Sequence, residues 1–230
     1  KESEKIKDKF INIAAHELRT PIQPILMLTD IIYYKIKDET QRELLEIILR
    51  NAKRLKRLSD NLLDITKIES RSLNLNKKFF NLNILISEVL KDYVNKQKNK
   101  VKVELVYYFK HKTDIFLEAD RDRISQVIRN LLDNALKFTI HSNQTVFVIV
   151  DKKEIEGQII VSVKDTGEGI SNETLSKLFT KFTTSDSTTG TGLGLYICKN
   201  IVEAHGGRIW AENNSNENGA IFTFTLPSAK

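Results

Sequence analysis

With 230 residues, 40% of them apolar, the chain has room for one large or two modest domains around a sizeable core, which excludes a disordered protein. Cys198 is the only cysteine, which excludes an intramolecular disulfide and a multi-cysteine zinc site, and no run is long and apolar enough to span a bilayer. The net charge of +6 raises nucleic acid or an anionic membrane as partners, but the Lys and Arg are spread along helical stretches such as 53–57 and 96–102. Such a spread is better read as solvated helix faces, and no zinc-finger, homeodomain or ribonucleoprotein signature accompanies it.

The helical pattern is already running at residue 1, as in a fragment of something longer, and no signal peptide opens the chain. Residues 1–70 read as helix almost throughout. Ile6, Phe10, Ile13, Ala14, Leu18, Ile25, Leu28 and Ile32 keep one helical stripe, and Leu44, Leu45, Ile48, Ala52, Leu55, Leu58, Leu62, Ile65 and Ile68 keep a second. The polar stretch 35–40 turns between them, giving a long antiparallel hairpin with helices about 45 Å long. A lone hairpin buries too little, so pairing with a second copy into a four-helix bundle is expected.

A linker is expected at 71–80, then a mixed domain over 81–230. Asn81 caps a predicted helix running to about Gln97. Residues 101–109 and 115–119 read as strands, and Asp120 caps a helix through Phe138. Residues 145–150 and 158–164 read as an antiparallel pair turning near Gly157, 193–205 as helix, and 208–212 and 220–226 as closing strands. Helix and strand do not alternate strictly, so the fold class is α+β, a two-domain chain ending in an α/β sandwich.

Glycine divides the chain: none precedes Gly157, and five of the nine sit in two clusters, Gly167 with Gly169, and Gly190, Gly192 with Gly194. Asn130, Asn134 and Lys137 share one face of a predicted helix. The amide oxygens suit Mg²⁺ and the lysine suits phosphate. Asp165 ends a predicted strand, where a carboxylate can accept from the exocyclic amine of adenine, and Gly167 and Gly169 let backbone approach the ring. The second cluster opens a helix and aims free N–H groups at an anion. Between the clusters, the polar stretch 183–189 reads as a flap. Near the N-terminus, His16 is followed by Glu17, which can orient the ring or take its proton, and Thr20 lies one turn away. Pro21 and Pro24 break the helix rule where the periodicity continues, and a broken rule inside a regular element is where function is expected. The other reading ends the helix at Thr20.

Taken in order, these segments resemble the sensor histidine kinase family over nearly the whole chain. His16-Glu17-Leu18-Arg19-Thr20-Pro21 is similar to its phospho-acceptor box, 130–139 to its asparagine box, 165–170 to its first glycine box, 178–182 to its phenylalanine box, and 190–195 to its second glycine box. The resemblance implies a dimeric hairpin followed by an ATP-binding domain of the gyrase, Hsp90, histidine kinase and MutL type. It implies His16 as the phosphorylated nucleophile, Glu17 as base, and Thr20 positioning water when the protein dephosphorylates its partner. Asn134 would bind Mg²⁺, with Asn130 supporting the metal or phosphates. Lys137 would contact phosphate, Phe138 would flank the nucleotide, and Asp165 would read adenine. Gly167, Gly169, Ile170 and Phe179 would complete the adenine side, and Gly190, Thr191, Gly192, Leu193 and Gly194 would hold the triphosphate and hinge the lid. The partners implied are a second copy and a response-regulator receiver domain, in a cytoplasmic setting with tethering of a parent protein left open. Two departures stand out: Thr189-Gly190 where the family often has two glycines, and no arginine after the phenylalanine box. Two rivals remain, an ATP-hydrolysing clamp of the same nucleotide fold and a non-catalytic dimeric scaffold.

Overall fold

Pro21 and Pro24 do not end the first helix. In the computed structural model, which describes residues 2–96, 103–110, 114–139, 145–153, 157–183, 191–215 and 218–228, α1 runs unbroken over Glu2–Lys35 with both prolines inside it. Each proline would cost about 3 kcal/mol in an isolated helix. The compensation comes from packing on α2 (Glu39–Glu69). Ala15, Ile22 and Thr29 are buried at seven-residue spacing on α1, and Ala52, Ser59 and Thr66 at the same spacing on α2. That repeat is the seam of a coiled coil. The pairs Tyr33–Glu46, Arg19–Asp60 and Ala15–Ser59 show that the helices run antiparallel. Asp38 caps α2 by accepting from Gln41 N at 2.8 Å. The other end closes with Arg71 in the left-handed region (φ 51) and Ser72 N donating back to Lys67 O at 2.8 Å.

The chain divides into two units, Lys1–Leu73 and Asn74–Lys230. The second begins with β1 (Lys78–Asn81), which overlaps the last three residues of the expected linker 71–80. β1 pairs antiparallel with β3 (Phe116–Ala119), and α3 (Leu82–Lys96) follows β1 directly. The Asn81 side chain accepts from Asn83 N and Ile84 N, which starts α3 where the sequence predicted.

The larger sheet takes the order β2-β4-β5-β7-β6 from β2 (Glu104–Phe109), β4 (Thr145–Lys153), β5 (Gln158–Asp165), β6 (Ile209–Asn213) and β7 (Ala220–Pro227). β2 and β4 are parallel and the other pairs antiparallel. Alternate residues Val146, Val148 and Val150 of β4, Ile159, Val161 and Val163 of β5, and Phe222, Phe224 and Leu226 of β7 are buried. α4 (Arg121–Phe138) lies against β4 and β5, with α3 and α6 (Gly194–Ala204) beside it, and a short α5 (Asn172–Lys177) precedes α6. The expected α/β sandwich is therefore present, with β1 and α5 added.

Asp120 is a junction. Its Oδ1 accepts from Arg123 N at 3.1 Å and caps α4, its Oδ2 accepts from Asn76 N at 2.9 Å, and its own N–H donates to His205 Nε2 at 3.0 Å. His205, only 5% exposed, donates from Nδ1 to Ile201 O at 2.8 Å, so it is a packing residue joining the end of α6 to the start of α4. Burial holds its pKa below the ordinary imidazole value.

Candidate functional site

Asp165 ends β5 and is 3% exposed. Its Oδ1 accepts from Gly167 N at 2.9 Å and from Ala220 N at 3.2 Å. Among the described residues both bonds fall on Oδ1, which leaves Oδ2 for a ligand donor. Burial raises the Asp165 pKa, while the two backbone donors pull it back down. The loop after it is tight. A Cβ on Gly167 would lie 2.5 Å from the carbonyl oxygen of Phe138, so the glycine lets the end of α4 pass against the loop. Ile170 is held by Asn213, whose side chain accepts from Ile170 N and donates to Ile170 O, both at 2.7 Å. Gly169 sits under the same Asn213 amide.

α4 carries Asn130, Asn134 and Lys137, all half-buried, over a face of Ile124, Val127, Ile128, Leu131, Leu132 and Ala135 that is fully packed away. Asn130 Nδ2 points at α6, 3.5 Å from both Gly194 O and Cys198 Sγ. Its Oδ1 is an oxygen donor of the kind Mg²⁺ takes. No described group bonds the Asn134 amide. Lys137 Nζ lies 4.9 Å from the centroid of the half-exposed Phe138 ring. Among the described residues no cluster of His, Cys, Asp or Glu suits a metal ion.

The second glycine cluster meets α4 at Gly194, where a Cβ would lie 3.7 Å from Asn130 Cγ. Gly192 adopts φ +64, and a Cβ there would stand 2.5 Å from the backbone of Phe182. Phe182 itself takes φ 63, so two left-handed residues interlock. Thr191 Oγ1 accepts from Leu193 N at 3.3 Å, and the buried Leu193 precedes the first turn of α6. Phe179 is half-buried. Gly190 and most of the expected flap, 184–190, lie outside the described residues. Cys198 is buried filler, with burial pushing its thiol up to about 12.

The structure therefore gathers Asn130, Phe138, Asp165, Gly167 and Gly194 in one region between α4, the loop after β5 and the start of α6. His16, Glu17 and Thr20 belong to the other unit, on α1, where Glu17 and Thr20 are exposed. The His16 backbone is helical, and its side chain lies outside what is described.

Sequence reasoning missed Asn213, Asn214 and Gly219. Asn214 Nδ2 donates to Asp165 O at 3.2 Å. Gly219, at φ +115, would put a Cβ 2.0 Å from that same oxygen. The available signal was the Asn-rich stretch 213–218 ending in glycine before a strand. It was also silent on Ser59 and Asp60, which touch α1 around His16.

Comparison with known proteins follows the same division. The family described as "Histidine kinase-, DNA gyrase B-, and HSP90-like ATPase" matches residues 119–230, and the "His Kinase A (phospho-acceptor) domain" matches residues 6–71. Sensor protein KdpD of Clostridium acetobutylicum is 33% identical, over 98% of this chain and 25% of that protein. Sensor protein SrrB of Staphylococcus aureus is also 33% identical, over 97% of this chain and 38% of that one. The chain thus spans between a quarter and about two fifths of the length of these relatives. Among solved structures, the catalytic domain of histidine kinase ThkA is 38% identical with a TM-score of 0.60, covering 66% of this chain and 96% of that one. ThkA in complex with response regulator protein TrrA is 31% identical with a TM-score of 0.65, covering 99% and 64%.

Proposed function

The chain belongs to the sensor histidine kinase family, and we propose that it phosphorylates its own His16 from ATP and passes the phosphoryl group to an aspartate on a response-regulator receiver domain. The observation that carries this reading is Asp165, a buried carboxylate at a strand end with one oxygen committed to backbone and the other available to an adenine amine. Supporting the partner is the complex that ThkA forms with TrrA.

Phosphoryl transfer needs positioning and charge neutralisation more than covalent help from the protein. Asp165 Oδ2 accepts from the adenine amine, with Gly167, Gly169 and Ile170 lining the base and Phe138 and Phe179 flanking the nucleotide. Thr191, Gly192, Leu193 and Gly194, together with Gly190, direct the N–H groups at the start of α6 to the phosphates, and Lys137 adds a positive charge. The amide oxygens of Asn134 and Asn130 would hold Mg²⁺, which would supply positive charge to offset that of the phosphates. A ring nitrogen of His16 forms the new bond to the γ-phosphorus as the bond to the bridging oxygen breaks and ADP leaves. Glu17 takes the proton from the ring, and Thr20 orients water when the phosphorylated partner is hydrolysed.

A homodimer fits the hairpin. Ile25, Leu28 and Ile32 on α1 and Leu44, Ile48 and Leu55 on α2 are each 44–57% exposed within one chain, and a second hairpin would cover them. A cytoplasmic site of action accords with ATP as donor.

The test is incubation with γ-labelled ATP. The expected result is an acid-labile, base-stable label on the chain that His16→Ala abolishes while ATP binding survives. Label retained by His16→Ala overturns the assignment, and phosphate released without any label points to a hydrolytic clamp instead.

A further inference from the structure

Two consecutive residues of α2 grip the turn of α1 that carries His16. Ser59 is 1% exposed, and its hydroxyl donates to the carbonyl of Ala15, immediately before the histidine, at 2.5 Å. Asp60 accepts at Oδ1 from Arg19 Nε at 3.1 Å and also from the Arg19 terminal nitrogen, three residues beyond the histidine. Its second oxygen accepts from Lys56 Nζ at 2.8 Å. Burial alone would raise the Asp60 pKa, but the bonds from Lys56 and Arg19 outweigh it and keep the carboxyl ionised.

This grip falls where α1 needs it. Pro21 and Pro24 remove the N–H groups that a regular helix would direct to the carbonyls of Glu17 and Thr20. The turn that follows His16 has therefore lost two of its own ties. α2 supplies one attachment just before the histidine and another one turn later, which fixes both the height and the rotation of α1 there. Neither residue belongs to a motif with a chemical role, and Ser59 is at the same time part of the buried seam, between Ala52 and Thr66.

We propose that Ser59 and Asp60 are positioning residues for phosphoryl transfer, holding the His16 turn so that its imidazole is presented in one direction to the γ-phosphate. The proposal rests on the kinase reading above. A pair that served only stability would leave the rate per folded molecule alone. A positioning pair lowers kcat at saturating ATP and leaves KM for ATP unmoved, because a misplacement of about 1 Å at a reacting atom costs up to about 100-fold in rate.

The experiment measures initial rates of His16 labelling over a range of ATP concentrations, on the full chain and well below its melting temperature. Hydrogen exchange of the amides at 16–20 is followed in parallel. Ser59→Ala is expected to lower kcat about 10-fold with KM within about twofold, and to speed exchange at 16–20, while Ser59→Thr, which keeps the hydroxyl, restores both. Asp60→Asn is expected to behave like Ser59→Ala and Asp60→Glu like the parent, so a Ser59→Ala chain that fails to fold does not end the test. A kcat unchanged in both loss variants, an effect confined to KM, or a loss that the conservative variants do not repair overturns the proposal. A parent chain that takes no label refutes the kinase reading instead, and unchanged exchange at 16–20 in the variants then refutes the grip separately.

Discussion

A carboxylate 3% exposed at the end of a strand works against the fold that carries it. Burial raises the Asp165 pKa, and a group whose folded pKa lies above its unfolded one adds stability only below the unfolded value and loses it as pH rises through the folded value. At neutral pH the charged side chain is therefore a strain on the empty domain, tolerated for its ligand. Asp165→Asn keeps an acceptor for Gly167 and Ala220 and removes the charge. The thermal midpoint at pH 7 should rise, while the dissociation constant for ATP should worsen by about 10- to 100-fold, the equivalent of a hydrogen bond to a charged acceptor at about 1.5–3 kcal/mol. Differential scanning fluorimetry and calorimetric titration read the two quantities, and an unchanged dissociation constant would contradict the adenine role. Asp165 was legible in the sequence because a strand, a carboxylate and two glycines follow one another directly. Asn213 and Gly219 were not, because the groups they serve lie 43 or more residues back along the chain, and no local pattern records such a pairing.

The helices and strands with strong periodicity were legible nearly to their ends: α1, α2 and α4 by their stripes, and β4, β5 and β7 by alternation. β1 and α5 were not, being four and six residues long and too short to show a period. β1 exists because β3 is there to pair with it. The seam explains why α1 continues through its prolines, a fact that propensity alone would have denied. Between α4 and α6 the sequence offered only a histidine without a motif. His205 is neutral by construction: Nδ1 donates to Ile201 O, and Nε2 must stay unprotonated to accept from Asp120 N. Its folded pKa lies below the unfolded value of about 6.5. The unfolded chain thus binds the proton more readily, so stability is complete above about pH 6.5 and falls as pH drops below it. Trp210, the only tryptophan, sits on β6 and reports unfolding of this unit by fluorescence. Denaturation midpoints measured between pH 5 and 8 should fall toward the acid side. His205→Gln should flatten that slope, and an equal slope in the variant would assign it to other groups.

At the scale of the whole molecule, the exposed stripe on the hairpin is where the proposed homodimer is tested. Leu28→Glu with Ile32→Glu places charges on a surface that a second copy would have to desolvate. Sedimentation equilibrium should show these variants as monomers and the parent as a dimer, and a variant dimer of undiminished affinity would move the interface elsewhere. The helical character of the first unit was legible in its stripes before residue 70, whereas the glycine change at Gly157 falls inside the second unit, which begins at Asn74. The two anchors beside that boundary set a mechanical limit. Ser72 is tied back to Lys67, and Asn76 is tied to Asp120. Only four peptide links lie between these points, spanning about 14 Å when fully stretched. To reach further, this segment has to release Ser72 from Lys67 or Asn76 from Asp120, so its span is written into two hydrogen bonds.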